Sequence, residues 1–436
     1  MKKITPYLVC LISIFALSAC GGGGGSSSTS SSSSSSNTSS GVSTYQAGVT
    51  IGDNGVLEID RNTLKYTLTI QNSSFALGGK TFTGSITPNA DGGYNIVGSA
   101  YARIFIYDNY SVLTLKADKN NPDFAEYFRR NPLVTDTVYI PIFALKKEAL
   151  ITTVDDLTAN GQSLEFRSAF MGSTVSGSQS SYLAEARLGK ITKISNTQFT
   201  VSTCSNEGRS DKNSQLTNAY AGSCGSGTLT TKTFTYSSAD AAWLVTPVDA
   251  GYSNQVVRAY FVSDTQQNEV FVYIDTSDST KRSAGFAIAT IVPANAVVAG
   301  LADGSSVSVI SYQLCVTDDN CAKTANENGI YAANLVYSST PVTTEIQSRS
   351  GGRQCLQTSR DNVPANGFME VVFSPLSSAG ADPCLNSGDR PDTILFGFGM
   401  MTQSNGKKKS LSVALGYDPT VNGPSQKITI LNFLEN

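Results

Sequence analysis

The sequence predicts an all-β protein, built as antiparallel sandwich or barrel-like domains with long loops and at most one or two short helices. Three observations carry that expectation. Apolar and polar residues alternate with period two along much of the chain, the pattern of strands with one buried face. Such runs recur about every ten to fifteen residues and are separated by Gly, Asn and Asp, as in sandwiches and barrels. Charged residues make up only 15%, against roughly 25% in an ordinary soluble domain, and Ser, Thr, Asn and Gly fill the difference.

The clearest strand is 64–70 (LKYTLTI), with apolar side chains on one face and Lys and Thr on the other. Residues 102–107 and 111–116 read as a hairpin around Asp108-Asn109, and 256–263 and 269–275 as another around 265–267. Further strands are expected at 137–145, 199–203, 284–292, 307–316, 368–373, 393–398, 410–417 and 427–434. Asn121-Pro122-Asp123 combines a capping side chain, a proline at the first helical position and an acid in the first turn. It predicts a short linker helix running to about Arg130. A second helical turn is expected over 238–243. No fixed-period repeat of the solenoid or propeller kind is visible.

Residues 21–44 hold no charge and almost no apolar surface, so they are expected to stay disordered. As a Gly/Ser coil this tether has a root-mean-square reach of roughly 25–30 Å, and about 80 Å at full stretch. About 390 residues then remain of the 436, enough for one large β domain or two ordinary ones. The Gly/Ser run 172–181 is expected to link a cysteine-free β domain, 45–171, to a disulfide-containing one, 182–436.

Lys2 and Lys3 begin the chain, followed by a short apolar run, 7–17, and then Leu17-Ser18-Ala19-Cys20. Small residues before a cysteine in this setting resemble the lipobox of bacterial lipoproteins. The resemblance covers residues 1–20. It implies that 1–19 are a signal peptide, that Cys20 becomes the lipidated amino terminus, and that the partner of this end is a membrane. Three acyl chains exceed the two signals needed for stable anchoring. The residue after the cysteine is Gly21, where an aspartate would imply retention at the inner membrane, so an outer-membrane location is expected.

Cys10 lies in the signal, and six cysteines remain in the body: Cys204, Cys224, Cys315, Cys321, Cys355 and Cys384. An even number in an exported chain reads as three disulfides, with connectivity open. The local scheme pairs Cys204 with Cys224, Cys315 with Cys321, and Cys355 with Cys384. The second pair brackets Asp318-Asp319-Asn320, a turn that would bring the two thiols together.

The chain contains no histidine, which removes imidazole as base, acid or metal ligand, and with it the Ser-His-Asp and Cys-His schemes. A net charge of −3 gives no electrostatic case for nucleic acid. No cofactor is implied, and no residue is assigned a catalytic or metal-binding role. Ser404-Asn405-Gly406-Lys407 has Ser-Lys spacing but reads as a solvated hairpin tip without companion motifs. Asp155-Asp156 and Asp318-Asp319 are adjacent carboxylates, which on a strand point to opposite faces. Residues 89–92 and 275–278 offer loop oxygens without matching a calcium motif, and Gly78-Gly79-Lys80-Thr81 reads as a β-turn. The expected role is therefore non-enzymatic binding or surface structure in the envelope. A carboxylate-based hydrolase of envelope or extracellular polymers and an accessory subunit of an outer-membrane assembly are the alternatives. The first would show two carboxylates converging in a cleft, and the second an uncovered strand edge or an apolar patch.

Overall fold

The computed structural model describes residues 41–49, 51–73, 75–89, 92–99, 102–107, 109–130, 137–157, 164–176, 179–206, 229–246, 256–263, 269–275, 283–293, 306–315, 330–336, 342–348, 353–358, 369–374, 393–404, 407–417 and 428–435. The described strands close into three consecutive antiparallel barrels of eight, each with neighbours in chain order. The first contains β1 (Val42–Val49), β2 (Asn54–Asp60), β3 (Lys65–Asn72), β4 (Thr81–Pro88), β5 (Tyr94–Ile96), β6 (Arg103–Ile106), β7 (Tyr110–Ala117) and β8 (Val138–Lys146). It closes through Ala47↔Ala144 and Val49↔Ile142. The second contains β9 (Leu164–Ser176), β10 (Gln179–Ser195), β11 (Gln198–Asn206), β12 (Leu229–Ser237), β13 (Ala242–Thr246), β14 (Val257–Ser263), β15 (Glu269–Asp275) and β16 (Ser283–Pro293). It closes through Ala289↔Ser168 and Ile291↔Phe166. The third contains β17 (Ser306–Cys315), β18 (Ile330–Val336), β19 (Val342–Ser348), β20 (Arg353–Thr358), β21 (Met369–Ser374), β22 (Thr393–Ser404), β23 (Lys407–Tyr417) and β24 (Ile428–Glu435), and closes through Tyr312↔Leu431.

Register decides which residues face inward. In barrel 1, Leu57 sits opposite Tyr45 and Leu68, Tyr94 opposite Ile104, Ile104 opposite Leu113, and Leu113 opposite Ile142. All of these are buried, whereas Glu58 and Lys65, at alternate positions, are exposed. Eight strands give an interior just wide enough for side chains to fill, and a fully buried Leu, Ile or Phe contributes about 1.5–3 kcal/mol. Burial pushes the Tyr45 and Tyr66 hydroxyls above the usual phenol range.

β7 and β8 break the alternation. Tyr110, Val112, Phe143 and Leu145 occupy outward positions, yet they are as buried as their inward neighbours. The cause is barrel 2. Ala242, Tyr260, Val262 and Ile288 belong to the apolar cluster of barrel 1 rather than to their own barrel's interior. Asn109 Nδ2 also donates to the Ser263 carbonyl at 2.7 Å. Burial raises the Tyr260 hydroxyl to about 12. Barrel 2's own inward set is Phe166, Ile191, Phe199, Val201, Phe234, Trp243, Val245, Phe261 and Ile291.

The structure corrects several boundaries. The tether was expected to extend to Thr44, but β1 begins at Val42, because β2 supplies partners in the pairs Val42↔Asp60 and Thr44↔Glu58. Of residues 172–181, expected as an interdomain linker, 172–176 belong instead to β9 and 179–181 to β10, with Gly172↔Leu183 and Tyr182↔Ser173 in register. β16 pairs with the same stretch of β9 from the other side, as in Gly285↔Gly172. Pairing on both sides overrides the turn preference of Gly and Ser. The divisions between barrels fall at 147–163 and 294–305, and three barrels replace the two expected β domains.

The cap at Asn121 forms as expected. Its Oδ1 accepts from Asp123 N at 3.0 Å, and a 3-10 turn, Pro122–Phe124, leads into α1 (Ala125–Arg130). The helical turn expected over 238–243 does not form. Ser237 Oγ accepts from Asp240 N, Ala241 takes φ 49°, and β13 follows at once. Similarly, the strand expected from Leu64 begins at Lys65. Asp60 Oδ1 accepts from the amides of Asn62 and Thr63, and Leu64 closes that turn at φ 53°.

Candidate functional site

In a closed barrel the ends and the interior are the natural places for a ligand, so the chemistry of the molecule turns on what occupies them. In barrel 1 the β3–β4 and β7–β8 connections leave the same end. Together they bring Phe75, Leu77, Phe124 and Phe128 over it, all buried. Phe124 stacks on Phe82 with centroids 5.3 Å apart, and Phe75 meets Tyr127 at 5.5 Å. Lys80 Nζ lies 2.7 Å from Asp123 Oδ1 and ties the turn before β4 to the first turn of the helical segment.

Barrel 2 is closed at one end by the chain arriving from barrel 1. After β8 and a 3-10 turn, Lys147–Ala149, the segment 151–157 crosses the barrel and ends in α2 (Val154–Leu157). Ile151, Val154 and Leu157 are buried in the same cluster as Phe199, Trp243 and Phe261. Trp243 Nε1 donates to the Ile151 carbonyl at 2.9 Å, and Ile151 N donates to the Phe261 carbonyl at 2.8 Å. Val154 N reaches the Asn196 carbonyl at 2.7 Å. Trp243 is also ringed edge-on by Phe199, Tyr236 and Phe261. Two buried inward positions of barrel 2 are polar: Ser168 and Thr203, with Thr203 Oγ1 3.1 Å from Thr230 Oγ1.

These interactions place most of the residues singled out in the sequence. Asp155 and Asp156 lie in α2, not on a strand. Asp156 N donates to Thr153 Oγ1 and that hydroxyl donates to the Asp156 carboxylate, while Asp155 pairs with Lys193. Both carboxylates thus serve the start of a short helix. Gly79 takes φ 78° and Lys80 N donates to the Leu77 carbonyl, which makes residues 78–81 a turn into β4. Ser404 and Lys407 face each other in register at the tip of the β22–β23 hairpin. Gly92 N donates to the Asn89 carbonyl, another turn. Trp243 is a core side chain, not an exposed aromatic platform.

Cys204 lies in β11, Cys315 ends β17 and Cys355 lies in β20. Cys20, Cys224, Cys321, Cys384 and Asp318-Asp319 lie outside the described residues. Sequence reasoning passed over Ile151, Val154 and Leu157. The available signal was Thr153-Val154-Asp155-Asp156, a Ser/Thr-x-x-acid start to a helix.

No protein-family model and no curated protein matches the chain. Among solved structures it is similar to the crystal structure of a protein of unknown function of the DUF3598 family from Nostoc punctiforme. The identity is 8%, the match covers 62% of this chain and 95% of that one, and the TM-score is 0.21.

Asp240, in the turn before β13, is a carboxylate held by two side chains, one of them charged. Ser237 Oγ and Arg258 Nη2 each donate to it at 2.8 Å and hold its carboxyl below the ordinary value of 3.8. A carboxyl depressed in the fold lends stability above that value, which is lost as pH falls through the lower folded one. Melting temperatures taken at about pH 5 and about pH 2 should therefore fall further in the wild type than in Asp240→Asn. Equal losses would mean that the Asp240–Arg258 pair contributes nothing to the fold.

Proposed function

We propose that this chain is an outer-membrane-anchored lipoprotein of the cell envelope, whose barrel body has a non-enzymatic binding or surface-structural role. The export signal, the lipobox-like Leu17-Ser18-Ala19-Cys20 and the uncharged tether support the anchor. The observation that favours a non-catalytic body is the occupation of the two barrels. In barrels 1 and 2 most described inward positions hold the chain's own apolar side chains, and one end of each is covered by the chain's own connecting segments. The carboxylate pair a hydrolase would use at 155–156 is engaged in starting α2 and pairing with Lys193. Among the described residues, the outer face of barrel 2 offers a partner hydroxyls such as those of Ser202 and Thr231, whose oxygens lie 3.0 Å apart. The body cysteines are proposed to form three disulfides by the local scheme.

Adding protease to intact cells, and to cells with a permeabilised outer membrane, tests the role. Cleavage in intact cells is the expected result and supports binding or structure at the surface. Protection until permeabilisation would place the body in the periplasm and discard the surface role. Recovery of the chain in the cytosol would overturn the whole reading.

A further inference from the structure

We infer that the segment 151–157 is a plug that makes barrels 1 and 2 one cooperative unit, with no hinge between them. Connections between independent domains are typically exposed, polar and rich in Gly or Pro, with few contacts crossing them. The part of the connection that follows β8 most closely is the opposite. Residues 150–157 read LITTVDDL, with neither Gly nor Pro, and Ile151, Val154 and Leu157 are buried. Its backbone is bound to three separate parts of barrel 2. Ile151 N bonds to Phe261 in β14, the Ile151 carbonyl receives Trp243 Nε1 from β13, and Val154 N bonds to Asn196 in the β10–β11 turn. The Asn196 side chain also accepts from Asp155 N at 3.2 Å, and Lys193 of β10 holds the Asp155 carboxylate.

The other half of the coupling is the face between the barrels. Tyr260, Val262 and Ile288 project from the outside of barrel 2 into the cluster of barrel 1. Barrel 2 therefore presents its interior to the plug and its exterior to β8, two surfaces fixed by one continuous stretch of chain. Rotation of one barrel on the other would withdraw Leu157 from the barrel end, or Tyr260 from the interface, and either exposes buried apolar surface. Barrel 2 without residues 151–157 would leave its apolar end, with Trp243, uncovered.

Trp243 is the chain's single tryptophan, so its fluorescence reports barrel 2 alone. The test is guanidinium unfolding of the full-length lipidated protein in detergent. Barrel 2 is followed by Trp243 emission, and barrel 1 by hydrogen exchange of β3 and β7 peptides. In the wild type the two midpoints should coincide. In Leu157→Asp the Trp243 transition should part from that of β3 and β7 and move down by roughly 0.5 M or more. If that variant does not fold, Leu157→Ala should give the same separation at smaller amplitude. Ile194→Ser, at a position 55% exposed, should shift neither transition. Separate midpoints in the wild type, or a Trp243 transition unmoved by the Leu157 substitutions, would overturn the proposal. So would midpoints that fall together in those variants, because coupling would then survive without the plug.

Discussion

Replacing Cys20 with alanine should abolish incorporation of labelled palmitate and leave the amino-terminal residues on the protein. On the proposed lipoprotein reading, the thiol of the lipobox-like sequence Leu17-Ser18-Ala19-Cys20 accepts the first lipid, and cleavage before it depends on that modification. Loss of the acyl chains removes about 0.8 kcal/mol of membrane affinity per buried methylene, so the effect on anchoring is close to all-or-none. Labelled cells followed by immunoprecipitation give the first readout, and mass spectrometry of the amino terminus the second. Wild-type protein should begin at a lipid-bearing Cys20, and the variant should carry residues 1–19 and no label. Label persisting in Cys20→Ala would move the lipid elsewhere. An unmodified amino terminus on the wild type would remove the anchor altogether.

Trp243→Ala should be among the most damaging single changes in barrel 2. The side chain is 1% exposed, packs edge-on against three aromatic rings and donates to the plug through Ile151. Truncating a buried Trp costs about 3–5 kcal/mol, which corresponds to a melting-temperature drop of roughly 6–20 °C at this size. Trp243→Phe separates the two contributions. It retains most of the packing but leaves the Ile151 carbonyl without its indole donor, at a cost of about 1–3 kcal/mol. Val97→Ser, at a surface position 57% exposed, should stay within about 0.5 kcal/mol of wild type. Circular-dichroism melts of the four proteins give the ranking. A Trp243→Ala protein melting with the Val97→Ser control would contradict the packing described for this end of the barrel.

Strands whose alternation survives in the sequence were legible. Residues 269–275 were expected as a strand and form β15, and 256–263 differs from β14 by one residue. The cap at Asn121 was readable because its chemistry is local. What stayed hidden depends on distant partners. β9 and β10 are rich in Gly and Ser at 172–176 and 179–181 and form strands because they pair with each other, with β16 on the far side of β9. The closure of β8 on β1 joins residues about a hundred positions apart, so counting strands did not reveal three barrels. The core role of Trp243 was not legible, because nothing near it in the chain announces the Ile151 carbonyl, 92 residues away. The plug escaped for the same reason: its amphipathic stretch is too short for a periodic signal, and its partners lie on β10, β13 and β14.

Because the described strands of each barrel pair only among themselves, the order of manufacture matches the order of assembly. The amino-terminal barrel has all its ladder partners once residue 146 is free, before any of β9 to β16 has been made. Hairpins formed between successive strands keep most pairings short-range, which favours quick folding and limits the time that bare ladder groups are exposed. Residues 151–157 follow directly, but their partners on β10, β13 and β14 come later, so the plug sets only as barrel 2 forms.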